Sequence, residues 1–306
     1  MKEDLEKARE EFDQYSTVDN EECRMKLCLY LTLYQKNGLA DSPQDYLNFY
    51  QQWIEHIGPY ATYFHINGTR KFKKIQKDTL DFFPYWIAQE EERGYGLCLE
   101  SGRFNDEVSD RSFQFFDEIY LKVILPLEWI EESIGQFLEL VKKTVDPIQF
   151  CSGHAGIGTN IYPGYDTEAP DDNPCYALSR RYKGVDIGNP YAFWNFAAEG
   201  GIKTINWLTF LETAQVKKLG GTEALKQSFS KEIVMHELQH GVCIQAGPKP
   251  ELGDVNSGEE LPLYHEVGKA LQPLRIPDEI LREYNYIGGT ANTRAWLDRF
   301  YPDDRQ

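Results

Sequence analysis

Two histidines flank a glutamate in the segment His236-Glu237-Leu238-Gln239-His240, which matches the H-E-x-x-H pattern of zinc hydrolases. In that pattern a helix places both histidines on one zinc ion, and the glutamate acts as a general base. Here Gly241 directly follows the second histidine, and β-branched residues continue the segment to Ile244. Glycine and β-branched residues disfavour a helix, so we predict that this segment is strand.

An extended segment could not bring both histidines to one zinc ion. At about 3.3 Å per residue, His236 and His240 would lie about 13 Å apart, whereas a zinc–nitrogen bond is about 2.1 Å long. A tight turn at Gln239 to Gly241 would form a hairpin and would also break the helical geometry. We therefore predict no metal and no cofactor. A zinc-dependent hydrolase with His236 and His240 as ligands and Glu237 as the base remains an alternative.

A second candidate for chemistry is the glycine-rich segment that follows a short predicted strand at 149–151. Ser152 and His154 lie there among Gly153, Gly156 and Gly158. Neither the G-x-S-x-G motif of hydrolases nor a complete phosphate-binding loop is present. We expect the glycines to allow a tight backbone path, and His154 to be a packed, hydrogen-bonded residue rather than a catalytic base.

Charge and composition restrict the class of partner. The 306 residues include 49 acidic and 32 basic side chains, which gives a net charge of −17 and predicts repulsion of nucleic acids and anionic membranes. A partner would therefore have a basic surface, although the acidity could also serve solubility alone. The charged start and the lack of a long apolar run predict neither a signal peptide nor a membrane span. Six scattered cysteines fit reduced thiols, so we predict a cytoplasmic location.

The elements that must position these residues follow from the periodicity of apolar side chains. Strands are predicted at 25–34, 95–100, 111–125, 149–151, 202–205 and 232–245. Helices are predicted at 42–57, 78–92, 127–143, 207–219, 222–229, 262–270, 277–286 and 293–300. This order predicts an α+β fold, in which mixed or antiparallel sheets pack with amphipathic helices. The pattern also allows two closely joined pseudo-domains that meet near residue 147.

The longest predicted loop, residues 163–174, is strongly acidic. It carries four carboxylates: Asp166, Glu168, Asp171 and Asp172. A solvated loop would need no further explanation, but the same carboxylates could contact a basic partner.

Several segments resemble the TsiV-like family of type VI secretion immunity proteins, which protect against VRR-NUC toxins. Three of them follow one another in the family's order: Gly201-Ile-Lys-Thr-Ile-Asn-Trp-Leu-Thr-Phe-Leu211, Leu219-Gly-Gly221 and Ile244-Gln-Ala-Gly-Pro-Lys-Pro-Glu-Leu-Gly-Asp-Val-Asn256. Two further segments resemble the central glycine-rich turn and the closing helix of the family: Ser152-Gly-His-Ala-Gly156 and Leu261-Pro-Leu-Tyr-His-Glu-Val-Gly-Lys-Ala-Leu-Gln-Pro-Leu-Arg275. The resemblance therefore covers about residues 25–275.

The resemblance implies binding rather than catalysis. It implies an immunity domain at 25–275, whereas the charged N-terminal extension predicted at 1–24 and the C-terminal helical tail predicted at 276–306 lie outside the resemblance. The partner would be a VRR-NUC or related restriction-endonuclease-like toxin, and the immunity protein would cover its DNA-binding or active site. Asp166, Glu168, Asp171 and Asp172 are the predicted contacts. An acidic scaffold or other binding protein remains a further alternative.

Overall fold

The computed structural model describes residues 2–16, 25–38, 41–66, 73–76, 79–80, 96–101, 109–161, 174–188, 190–277 and 289–302. The α-helices whose bounds lie in these ranges are α1 (Lys2–Ser16), α2 (Pro43–Ile57), α3 (Glu128–Glu132), α4 (Ile134–Val145), α5 (Pro174–Arg181), α6 (Trp194–Ala198), α7 (Thr213–Lys218), α8 (Thr222–Gln227), α9 (Pro262–Leu271) and α10 (Thr290–Leu297). The predicted helices at 78–92 and 277–286 fall almost wholly outside the described residues.

Ten strands of the described part form one antiparallel sheet. They are β1 (Met25–Gln35), β2 (Ala61–Ile66), β3 (Lys73–Lys74), β4 (Gly96–Ser101), β5 (Ser112–Phe116), β6 (Tyr120–Leu125), β7 (Phe150–Ile161), β8 (Leu208–Glu212), β9 (Ile233–Leu238) and β10 (Gly241–Ala246). Their order across the sheet is β3-β2-β4-β5-β6-β1-β7-β8-β10-β9. With helices packed against this sheet, the predicted α+β class is confirmed.

The central strand β1 separates two environments because successive strand residues face opposite sides of a sheet. Its leucines belong to the main hydrophobic core: Leu27, Leu29, Leu31 and Leu33. Cys28 and Tyr30 instead form a small separate cluster with Ile124, which is the register partner of Tyr30 on β6. The side of the sheet that carries Tyr30 also carries the polar residues described below.

Helices α2 and α4 pack together and join the leucine side of the sheet. The ring centroids of Trp53 and Phe137 lie 5.8 Å apart, and those of Phe137 and Trp207 lie 6.3 Å apart. The indole Nε1 of Trp53 donates to the hydroxyl of Thr144 at 3.1 Å, so this buried donor is satisfied. Aromatic contact thus links the two helices to the segment that enters β8.

The predicted helix at 207–219 is wrong in its first half. Leu208–Glu212 is strand β8, which pairs with both β7 and β10. Only Thr213–Lys218 is helical, and it begins where the side chains of Glu212 and Gln215 form a capping box. The spacing of the apolar residues suited a helix, but two neighbouring strands supply the hydrogen bonds that make residues 208–212 a strand.

Three further predictions need correction. The segment 111–125 is two strands, β5 and β6, which pair with each other around a turn in which Glu118 adopts a φ of 60°. The helix predicted at 127–143 is interrupted at Ser133, which separates α3 from α4. Residues 202–205 are buried but belong to no strand. In each case the amino-acid composition suits the predicted element, but it does not reveal the turn, the interruption or the pairing that decides the conformation.

The N-terminal segment packs onto the sheet rather than extending from it. Leu5, Ala8 and Phe12 of α1 are buried in the main core, and the Phe12 ring lies 5.6 Å from that of Tyr182. Strands from both sides of residue 147 belong to the same sheet. The division into an extension, a domain and a tail stays a prediction. No helix in the described ranges is both long enough and apolar enough to span a bilayer.

Candidate functional site

The HELQH segment forms the hairpin between β9 and β10. His236 lies in β9 opposite Cys243 of β10, and His240 lies in the turn that joins the strands. The prediction of strand is confirmed, and a helix that could place both histidines on one ion does not form here.

Two side chains of the H-E-x-x-H pattern interact with other residues of the protein. The Nε2 atom of His236 lies 2.8 Å from Oε1 of Gln245, and Glu237 accepts from the ammonium of Lys226 at 2.7 Å. Within the described ranges, no group of three or more His, Cys, Asp or Glu side chains could hold a metal ion. The hairpin geometry therefore offers no support for the zinc alternative.

The glycine-rich segment is the interior of β7 rather than a turn. A β-carbon at Gly156 would lie 2.1 Å from the side-chain oxygen of Asn206, and one at Gly158 would lie 2.5 Å from the Tyr30 ring. Glycine inside a strand often marks such a close approach. The predicted tight backbone path and the predicted turn are both wrong, because the segment is extended and pairs with β1 and β8.

A buried ionic cluster of three side chains lies on this side of the sheet. In the His154–Asp186–Lys203 cluster, the Oδ2 atom of Asp186 lies 2.9 Å from Nζ of Lys203 and 3.2 Å from Nε2 of His154. The exposed fraction of the side chain is 7% for Asp186, 1% for Lys203 and 2% for His154. The prediction that His154 is packed and hydrogen-bonded is confirmed.

Opposing effects decide the charges in this cluster. Burial raises the pKa of Asp186, but Lys203 and His154 outweigh it and hold that pKa well below its usual value. Burial is also the main cause that lowers the pKa of His154, which favours the neutral imidazole. The cluster is thus an Asp186–Lys203 ion pair with a neutral histidine beside it. Because all three side chains are buried, a substrate could not reach them.

Asp186 and Lys203 are not among the residues predicted from the sequence, although a signal was present. Asp186 lies between Val185 and Ile187, and Lys203 is the single charged residue of the segment Ile202-Lys-Thr-Ile-Asn206. An isolated charge in an apolar segment indicates a buried ion that needs a partner, because an unpaired buried charge is costly. The three residues meet only in the folded sheet, because His154 belongs to β7 whereas Asp186 and Lys203 lie outside the named strands.

The segments that carry the family resemblance contribute to the core and to a turn. Trp207 is fully buried, and its indole Nε1 donates to the carbonyl of Gly247 at 2.9 Å. Asp254 accepts from the backbone N–H of Asn256 at 3.0 Å and from two nitrogens of Arg181 at 2.9 Å each. Trp207 thus fills the core, and Asp254 forms a turn with Asn256.

The four carboxylates of the acidic loop, Asp166, Glu168, Asp171 and Asp172, lie outside the described residues. The structure does describe both ends of this segment. It leaves β7 after Ile161, which pairs with Met25 at the start of β1, and it enters α5 at Pro174. The loop therefore connects a central strand to a helix that packs against α1 and α10.

The chain was compared with known proteins. No curated protein matches it. A structural match is a T6SS protein, PA0821, from Pseudomonas aeruginosa, with a TM-score of 0.79 and 21% sequence identity, covering 98% of this chain and 92% of that one. This likeness shows a shared fold. A family model described as type VI immunity for VRR-NUC matches residues 49–300, and so begins and ends later than the resembling range of 25–275. The chain belongs to the TsiV family of type VI immunity proteins.

Proposed function

We propose that this chain binds and neutralises a cognate type VI nuclease effector by covering its DNA-binding or active site. The observation that carries the proposal is the family match over residues 49–300. The effector would be a VRR-NUC or related restriction-endonuclease-like toxin. Neutralisation would take place in the cytoplasm, where the chromosome is exposed to the toxin.

The charge of the chain supports this form of inhibition. A nuclease cleft must hold phosphates and is therefore basic, whereas this chain has a net charge of −17. Opposite charges accelerate association and favour the correct partner over others. Carboxylates in the cleft would occupy the positions that DNA phosphates need, so binding and inhibition would be one event.

The acidic loop is the first candidate for the contact. Its four carboxylates, Asp166, Glu168, Asp171 and Asp172, lie within seven consecutive positions of the sequence. Carboxylates this close together in the sequence could face one partner surface. The same carboxylates could interact with arginine and lysine side chains through charge-assisted hydrogen bonds.

Binding and inhibition should be measured together. This chain would be co-purified with the nuclease encoded beside it, and DNA cleavage would be followed while the chain is titrated. We expect a stoichiometric complex and loss of cleavage at equivalence. A complex without loss of cleavage would instead support an acidic scaffold, and the absence of both would contradict the proposal.

A charge-matched pair of variants tests the loop itself. One variant replaces all four loop carboxylates by Lys. The control makes the same net change at four exposed helical positions elsewhere: Glu6, Glu10, Glu55 and Glu132. We expect the loop variant to bind the nuclease at least about tenfold more weakly, since four lost contacts of a few tenths of a kcal/mol each sum to about that factor.

The control separates a local contact from a general effect of net charge. We expect its affinity to change by no more than about threefold, through weaker steering alone. Equal weakening of both variants would show that overall charge, and not the loop, acts in binding. Unchanged affinity and salt dependence of the loop variant would remove the loop from the interface.

A further inference from the structure

A cavity of about 310 Å³ lies between α5 and α10. Its described lining comes from the end of α5, the second residue after it and one side of α10: Ser179, Arg180, Lys183, Asn292, Ala295 and Trp296. Five of these six side chains can donate a hydrogen bond, and none is acidic. The volume lies at the lower end of the range for small-molecule sites.

Basic side chains gather around this cavity in a chain that is strongly acidic overall. Lys183 is half-buried, and among the described residues its ammonium forms no ion pair or hydrogen bond. Burial lowers the pKa of Lys183, and the guanidinium groups of Arg299 and Arg180 lower it further. The neighbours that influence Lys183 are therefore other cations, and an anion would relieve their mutual repulsion.

Two buried donors beside Lys183 have no hydrogen-bond partner in the part of the chain that the structure describes. They are the indole Nε1 of Trp296, a residue that lines the cavity and is 3% exposed, and the Nη2 atom of Arg299. The rest of the Arg299 guanidinium is engaged, because Nε donates to the carbonyl of Lys183 at 2.7 Å and Nη1 to that of Trp296 at 2.8 Å. Unsatisfied buried donors are rare in proteins and require an explanation.

The ring of Trp296 is already in contact with cations. The guanidinium of Arg299 lies 4.4 Å from its centroid, and the ammonium of Lys203 lies 5.5 Å from it. Lys203 is paired with Asp186 in the buried cluster, so it is not free to bind a ligand. Recognition here would depend on charge and donors rather than on stacking of a base.

We propose that this cavity binds a small phosphate-bearing molecule. The ammonium of Lys183 would be the main counter-charge of a tetrahedral oxyanion, and the indole N–H of Trp296 would donate to it. A phosphate offers several acceptor oxygens and up to two negative charges, which suits a cavity whose described lining holds these donors and no acid. Binding of a phosphate here does not depend on the toxin, so it is tested with the chain alone.

Isothermal titration calorimetry of the full-length chain tests the site directly. The probes are inorganic phosphate and a nucleoside 5′-monophosphate, with sodium chloride at matched ionic strength as the salt control. We expect saturable binding of at least one phosphate compound at one site per chain, and none with chloride. No saturable binding of either compound up to about 10 mM would overturn the proposal.

Variants at Lys183 identify the site. We expect Lys183→Gln to weaken binding about tenfold or more, the usual effect of losing one charge-assisted hydrogen bond. Lys183→Arg should retain binding, since the positive charge remains. The control is Lys217→Gln, at an exposed lysine of α7, which should leave the affinity unchanged. If Lys183→Gln and Lys217→Gln bound phosphate with equal affinity, the phosphate would lie elsewhere on the chain. This result would overturn the proposal.

Discussion

Replacing Lys203 by Met removes one charge from the interior and leaves its partner behind. Lys203 and Met are similar in length, so the change leaves little empty volume and tests the charge alone. Nζ of Lys203 is the closest cation to Asp186 Oδ2, at 2.9 Å, and the side chain is 1% exposed. In the variant, only His154 remains beside this oxygen, at 3.2 Å.

The expected cost follows from the depth of the pair. Breaking a buried ion pair on one side costs about 3–5 kcal/mol, because the remaining charge is neither paired nor hydrated. At roughly 2–4 °C per kcal/mol for domains of 150–250 residues, this predicts a fall in Tm of about 6–20 °C. The pKa of Asp186 should also rise, since Lys203 is the main group that lowers it.

Thermal and urea unfolding, followed by circular dichroism, measure this cost. Lys36→Met is the control, because Lys36 pairs with Glu212 but is 49% exposed, and exposed pairs contribute at most about 1 kcal/mol. The double variant Lys203→Met/Asp186→Asn removes both charges and should be more stable than Lys203→Met alone. The reasoning would be refuted if Lys203→Met cost no more than Lys36→Met, or if the double variant lost the sum of the two single changes.

Two further predictions concern packing and pH. Gly158→Ala should destabilise the fold by about 1–3 kcal/mol because its β-carbon would lie 2.5 Å from the Tyr30 ring, whereas Gly135→Ala, in α4 with no atom nearby, should stabilise it by about 0.5–1 kcal/mol. Similar unfolding midpoints for the two variants would contradict this account of the glycines. Burial raises the pKa of Glu100 from 4.5 to about 7. The folded state then holds a proton that the unfolded chain has lost, so stability should fall as pH rises through this range and level off above it. Glu100→Gln should reduce that slope, and equal urea midpoints across the range in both proteins would count against it.

The local predictions that succeeded depended on strong short-range signals. Gly241 and the β-branched residues after it make a helix unfavourable, so the strand character of the HELQH segment could be predicted without a structure. Trp207 could be assigned to the interior from its apolar neighbours, and the turn at Asp254 from its ability to bond its own backbone. These outcomes require little knowledge of distant residues.

Periodicity failed where a distant partner decided the conformation. Leu208–Glu212 has spacing suited to a helix, but β7 and β10 lie on either side of it and make it a strand. The glycine-rich segment has the composition of a turn, yet it runs through the middle of the sheet. Its glycines leave the space that Tyr30 and Asn206 fill. Pairing across the sheet outweighs local propensity at both places.

Composition, local conformation and motifs were enough to predict the α+β class, the net charge, the strand character of the HELQH segment and the family resemblance. Which buried charges meet depends instead on the complete fold. Asp186 and Lys203 are 17 positions apart, and His154 reaches them from β7, so their ion pair exists only once the sheet brings the three segments together. The cavity beside Lys183 likewise needs α5 and α10 side by side. Long-range packing sets such contacts, and no local pattern encodes the partner.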